Sequence, residues 1–305
     1  MSKLFLKRIV RIFIVVLACA FSLMTAEFIF RKTQFTKEFY DKRIDPEPFV
    51  YTINKQGFRV ISEDVLYDKD NSDYFRIICL GDSFTFGYGV NDDKTCPVFL
   101  EKYLEHMWQK KVQVINAGVN GATITEELDI YQEKCSQLQH NLVILLFIEG
   151  DICDLFIELL FQGKEKFYEM CFLDKKLYRS KVYSLIKYNV LEKREKYATI
   201  HYVGQQQEEV INKYLEKLSA LNKIIHSKNA VLVIVVFKSG EEGEKIKNFC
   251  VNEGIALMDI RKEYAQMQEK YDIYLVKHHN ESGNNLLAEA IANKLISNSL
   301  MLGEE

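Results

Sequence analysis

"CLGDSFTFGYGV", residues Cys79 to Val90, places three of the chain's fourteen glycines around a single serine, Ser83. Glycine adopts backbone angles that other residues avoid, so the plain reading is a tight turn from strand to helix. The chemical reading is that the turn presents Ser83 as a nucleophile. What surrounds the stretch decides between the two.

Downstream, short apolar runs rich in branched residues alternate with helical patterns. "RIICLG" at 76–81, "VQVINAG" at 112–118, "LVILLFIE" at 142–149, "VLVIVVF" at 231–237 and "IALMDI" at 255–260 suit strands buried on both faces of a parallel sheet. Between them, "PVFLEKYLEHMWQK" opens with Pro97, favoured in a first helical turn. "TITEELDIYQEKCSQL" sets Thr123 three residues before Glu126, the spacing of a capping box. From Gln205 to Lys228, apolar residues from Val210 to Ile225 recur at helical period. The expectation is a three-layer, doubly wound, flavodoxin-like α/β fold with a five-stranded parallel sheet. Ligands of such folds bind outside the carboxyl ends of the strands, and Gly81, Gly87, Gly89, Gly118, Gly121 and Gly150 all fall there.

The 305 residues are 48% apolar and 27% charged, enough for a sizeable core, and a net charge of -3 without a long basic block gives no footprint for nucleic acid. From Ile12 to Phe30 the only charge is Glu27, and about twenty apolar residues are what a helix needs to cross a bilayer. Residues 1–31 are therefore expected to be a single-pass transmembrane anchor. A cleaved signal peptide is the rival, given the basic start and the small-x-small "ACA" at 18–20, and Cys19 in "VLAC" is a weaker lipoprotein signal. Basic residues flank the run on both sides, so the positive-inside rule alone does not orient it. A short basic start before one anchor favours export of the domain that follows. The seven cysteines form neither a disulfide framework nor a CxxC site. Residues 32–75 read as a stalk packing on the domain, with "INKQGFR" at 53–59 its most specific piece.

"LGDSFTFGYGV", "VINAGVNGATITEEL", "LVILLFIEGD" and "HHNESGNNLLAEAIANKL" resemble, in order, the motif blocks of the SGNH (GDSL-type) hydrolase superfamily over residues 76–300. "INKQGFR" is similar to the lead-in of its membrane-anchored bacterial members. The resemblance implies Ser83 as nucleophile, with an oxyanion hole of backbone N–H groups at Ser83 and Gly118 and a third donor at position 150. It implies His278 as general base. Asp82, Asn120, Gly121 and Asn280 are implied as supporting loop residues. No cofactor and no metal is implied.

Two departures from the family pattern stand out. Gly150 takes the place of the asparagine whose amide is an oxyanion donor, and such a loss costs on the order of 10²- to 10³-fold in rate. Leu275 and Val276 stand where the aspartate that orients the histidine is expected, a deficit of roughly 10⁴-fold in serine proteases. Asp272 is the candidate replacement if a turn in "DIYLVK" brings it back, with Asp259, Asp154 and Glu281 behind it. A Ser-His dyad is the other solution. His279 adjoins His278, but no third ligand is spaced for a metal. Residues 152–204, rich in Phe, Tyr and Lys, read as a helical cap inserted in the domain.

Two functions follow as expectations. In the first, a membrane-anchored esterase removes or transfers an acetyl or other small acyl group on an ester-bearing cell-envelope glycan or lipid. In the second, a catalytically degenerate domain serves as a glycan-binding or scaffold component of an envelope assembly.

Overall fold

Five strands, β1 (Phe75–Leu80), β2 (Val112–Asn116), β3 (Leu142–Ile148), β4 (Val231–Lys238) and β5 (Ala256–Asp259), form one parallel sheet in the order β2-β1-β3-β4-β5. The computed structural model describes residues 15, 18, 21, 22, 24–26, 28, 51–70, 73–161, 207–275 and 278–297. All seven residues of β3 are buried, which is why the strand reads as an unbroken apolar run rather than an alternating one. Ile78 of β1 is in register with Ile115 on one side and Val143 on the other. The strand order reverses at β1, so the crevice between the ends of β1 and β3 is the topological switch point of the sheet.

Successive side chains feed opposite faces. Ile78, Leu80, Leu145, Phe147 and Ile234 pack with α3 (Ile124–Glu133), α4 (Glu149–Phe161), α5 (Gln207–Ser227) and α6 (Glu241–Glu253). Ile77, Cys79, Ile144, Val233 and Val235 pack with α2 (Cys96–Trp108), α7 (Arg261–Lys270) and α8 (Glu281–Ser297). α1 (Ser83–Phe86) is a single turn directly after β1. The capping box forms as its spacing predicts: the Thr123 N–H donates to the Glu126 carboxylate at 2.9 Å. Pro97 lies in the first turn of α2.

Two boundaries are refined. The lead-in is part of the domain's core over its described portion, with Phe58, Val60 and Tyr67 buried in the same cluster as the sheet. Its Arg59 bridges antiparallel to Asn116 at the end of β2. Near residue 152, about where the cap is expected to begin, α4 continues from β3 to Phe161, and Ile152, Leu155 and Phe156 are core residues. Buried rings and aliphatic side chains favour the domain interior over an exposed lid. The rest of the expected cap lies outside the described residues.

By its contacts the chain divides into two units, Met1–Ile44 with Gly163–Tyr197, and Asp45–Gln162 with Ala198–Glu305. The second is the sheet domain. In the first, the described residues are helical, with the Thr25 hydroxyl donating to the Phe21 carbonyl at 2.8 Å and with Val15, Phe21, Met24 and Phe28 exposed. No helix among the described residues is long and apolar enough to cross a membrane; most of the span expected between Ile12 and Phe30 lies outside them.

Leu145 sits at the centre of the sheet, in register with Leu80 and Ile234 and with no exposed surface. Leu145→Ala is expected to cost about 3 kcal/mol of stability, read as a lower urea midpoint at unchanged slope.

Candidate active site

β1 ends at Leu80 and the chain turns at Gly81, whose φ is +146°. A Cβ there would lie 2.1 Å from Thr85 Oγ1, so the turn requires glycine on both backbone and steric grounds. Asp82 caps α1, its Oδ1 accepting from the Phe84 N–H at 2.9 Å. The turn closes at Gly87, with φ +81° and its N–H donating to the Ser83 carbonyl at 2.9 Å. Ser83 thereby becomes the first residue of a helical turn at the switch point, where peptide N–H groups favour negative charge. Its side chain is almost enclosed, with the residue 7% exposed.

His278 arrives from the far end of the sequence. β6 (Tyr274–Leu275) pairs antiparallel with β7 (His278–His279), and His278 Nε2 lies 2.9 Å from Ser83 Oγ. Unprotonated, that nitrogen accepts the serine proton; the Asp82 Oδ2 is the more distant acceptor at 3.3 Å. The imidazole packs near the rings of Tyr88, at 4.9 Å, and Phe84, at 5.7 Å. Asn280 ties the hairpin to α8: its Oδ1 accepts from the Gly283 N–H at 2.9 Å and its Nδ2 donates to the Asp272 carbonyl at 2.8 Å. A Cβ at Gly283 would meet the Ile273 carbonyl oxygen at 2.3 Å, so the helix can start this close to the hairpin only with glycine there.

Buried carboxyl groups, Asp82 and Asp151, underlie the site. Burial raises the pKa of Asp82, opposed by the Phe84 hydrogen bond and by the nearby His278. Asp151, at the start of α4, is pushed well above the usual carboxylate range by burial and then by Asp82 and Glu127, so it is neutral where an exposed carboxyl is ionised. Its Oδ2 accepts from the Ile148 N–H at 2.9 Å, which fixes the exit from β3. His279 is buried, with Nε2 2.6 Å from the Tyr264 hydroxyl. Burial first, then Lys238 and His278, lower its pKa to about 3. It is a neutral core residue, and no cluster of three metal-binding side chains occurs among the described residues.

The other residues singled out in the sequence fall as follows. Gly118 lies against α1, where a Cβ would be 2.3 Å from the Phe86 nitrogen; its own N–H donates to Asn116 Oδ1 at 3.1 Å. Asn120 is exposed, and with Gly121, at φ +74°, it forms the turn closed by the Ala122 N–H to the Val119 carbonyl at 3.0 Å. Gly150 lies in the first turn of α4, partly exposed. Asp272 is exposed, and the hairpin register sets Leu275 opposite His278. Asp272 is thus three residues farther along, about 10 Å at strand rise, with its carbonyl rather than its carboxylate tied to Asn280. Asp259 binds Arg261 and Glu281 binds Lys94, each at 2.8 Å.

Two further residues belong to the site without having been read as such. Asn116 holds both sides of the crevice, its Oδ1 on Gly118 and its Nδ2 on the Phe86 carbonyl at 3.3 Å. Arg59, from "INKQGFR", is 4% exposed and donates to the carbonyls of Phe86, Gly87 and Val90. The motif itself was the available signal, but nothing in its local pattern announces that its arginine is buried.

The fold and the paired side chains define a doubly wound α/β protein with a serine and a histidine in contact at its switch point. Residues 77–291 match the GDSL-like lipase/acylhydrolase family, and the chain belongs to it. The fold is similar to that of an acetylxylan esterase from Geobacillus stearothermophilus, at 11% identity and TM-score 0.46, covering 75% of this chain and 96% of that one. It is similar also to LAE5, an alpha/beta hydrolase enzyme from the metagenome of Lake Arreo, at 12% identity and TM-score 0.47, covering 72% and 94%. No curated protein matches the sequence.

The buried imidazole of His279 makes stability depend on pH in a definite direction. Unfolded, the residue takes up a proton near pH 6.5; folded, it resists protonation down to about pH 3. Its contribution is complete above pH 6.5 and is lost as pH falls. Between pH 7 and 5 wild type is expected to lose about 2 kcal/mol more than His279→Gln, measured by urea denaturation at each pH.

Proposed function

We propose that the protein is a membrane-anchored serine esterase that removes or transfers an acetyl or other small acyl group on a cell-envelope glycan or lipid. The observation that carries this reading is the 2.9 Å approach of His278 Nε2 to Ser83 Oγ at the carboxyl end of β1. Ser83 Oγ attacks the acyl carbon as its proton passes to His278. The tetrahedral oxyanion forms beside the N-terminus of α1, and its collapse releases the alcohol with the proton from His278. Water then repeats the sequence to free the acid, and a sugar hydroxyl in place of water gives transfer. The apolar run at 12–30 supports an anchor, and the basic residues before it support export of the domain to the outer side of the membrane.

Hydrolysis of p-nitrophenyl acetate by the full-length protein in detergent tests the reading. Ser83→Ala and His278→Ala are each expected to lower kcat/KM by at least about 10³-fold. Rates equal to wild type in both would remove the serine mechanism.

A second reading, a weakly catalytic binding or scaffold component, is favoured by Gly150 in place of an amide donor and by the commitment of the Gly118 N–H to Asn116. The two readings separate at position 150. Among the described residues, a Cβ there meets only the far carbons of the Ile148 side chain, the nearer at 3.3 Å, so a side chain can be accommodated. Gly150→Asn is expected to raise kcat about tenfold or more by adding an oxyanion donor. No gain in a folded variant would count against an oxyanion hole at this place.

A further inference from the structure

The loop from Phe86 to Asp92 carries Tyr88, whose ring lies 4.9 Å from the His278 imidazole at an interplanar angle of 51°. On its helix side the loop is held by the Gly87 and Tyr88 N–H groups, both donated to the Ser83 carbonyl. Three of its carbonyls converge on one side chain. Arg59 Nη1 donates to Phe86 and Gly87, each at 2.6 Å, Nη2 donates to Val90 at 2.7 Å, and Nε donates to Asp92 Oδ1 at 2.8 Å.

The guanidinium carbon also lies over two rings, 4.4 Å from the ring centroid of Tyr51 and 4.8 Å from that of Phe86. The segment leading to Arg59 completes the grip: Tyr51 Oη accepts from the Gly89 N–H at 3.0 Å, and the Thr52 N–H donates to Asp92 Oδ2 at 3.1 Å. A buried planar fork that satisfies three carbonyls and a carboxylate is a task for arginine; lysine cannot reproduce it. Losing it removes this donor from the carbonyls of the buried Gly87 and Val90, leaves Phe86 with the longer bond from Asn116, and loosens the loop.

We propose that Arg59 and Tyr88 are positioning residues for His278: the Arg59 clamp fixes the 86–92 loop, and the Tyr88 ring carried on that loop sets the plane of the imidazole against Ser83. The proposal rests on the reading of Ser83 and His278 as the catalytic pair. It gives "INKQGFR" a mechanical part in the site, and it assigns the positioning of the imidazole to the Tyr88 ring.

The test uses full-length protein, p-nitrophenyl acetate turnover, the rate of Ser83 labelling by a fluorophosphonate, and the ¹⁵N signals of the His278 ring. Small misplacements of reacting groups are costly, on the order of 10²-fold per ångström. Tyr88→Ala is expected to lower kcat about tenfold with KM unchanged, to slow labelling by the same factor, and to shift and broaden the ring signals. Tyr88→Phe restores all three. Arg59→Lys is expected to lower kcat comparably, and the double variant Arg59→Lys/Tyr88→Ala to be no slower than the slower single one, because both act through one loop. Wild-type turnover and labelling in folded Tyr88→Ala, or losses that add in the double variant, would overturn the proposal. If Arg59→Lys does not fold, the Tyr88 pair still decides it. If wild type neither hydrolyses the ester nor is labelled, the esterase reading falls, while the ring signals of Tyr88→Ala against Tyr88→Phe continue to test the positioning.

Discussion

At the carboxyl end of β1, Gly81 faces the Thr85 side chain and Gly118 faces the main chain of α1, with no room for a side chain at either. Gly81 meets Thr85, and Gly118 meets the Thr85–Phe86 peptide, at distances where an added Cβ would fall 2.1 to 2.3 Å from its neighbour. That proximity lets α1 begin immediately after the strand and dock against the loop after β2. Ser83 takes its place at the rim as a result, and Asn116 can reach both Gly118 and Phe86. The hairpin bearing His278 obeys the same rule at Gly283, where the start of α8 presses on the Ile273 carbonyl. Both halves of the Ser83–His278 pair are therefore located by close approach of main chain, with hydrogen bonds securing what the packing has already arranged.

Beneath the rim lie polar groups of unusual depth. Asp82, Glu127 and Asp151 are all buried, and burial together with mutual repulsion keeps Asp151 neutral. An uncharged acid costs far less to bury than an ionised one. Two of these acids each steady an exit from the sheet: Asp82 caps α1 and Asp151 accepts from the last amide of β3. His279 follows the same logic as a neutral ring bonded to Tyr264. The adjacent histidines thus divide into one facing Ser83 and one serving the core, as alternation along a strand requires.

The sheet was readable because strands covered on both faces are written as contiguous branched runs, and β3 with its seven buried residues is the clearest case. The motif blocks that resemble the family singled out Ser83 and His278, and the fold brings these two side chains within 2.9 Å of each other. The hairpin was not readable: β6 and β7 have two residues each, too few for any period, so where Asp272 falls relative to His278 could be learned only from register. At 152–156 aromatic content alone does not separate a cap from the core, and there Phe156 is a core residue of α4. Arg59 was hidden for another reason. Its partners lie 27 to 33 residues downstream, and a buried cation leaves no trace in the local pattern of its own segment.

The family match begins at residue 77, yet the first side chains that grip the Ser83 loop belong to residues 51 and 59. What sequence similarity delimits as the domain is smaller than what the rim needs in order to keep its shape. The lead-in behaves as a splint laid along the edge that carries Ser83, contributed by chain that a motif-based boundary would discard. Fragments cut at the start of β1 would retain every residue of the recognised blocks and lose the brace that holds two of them in line.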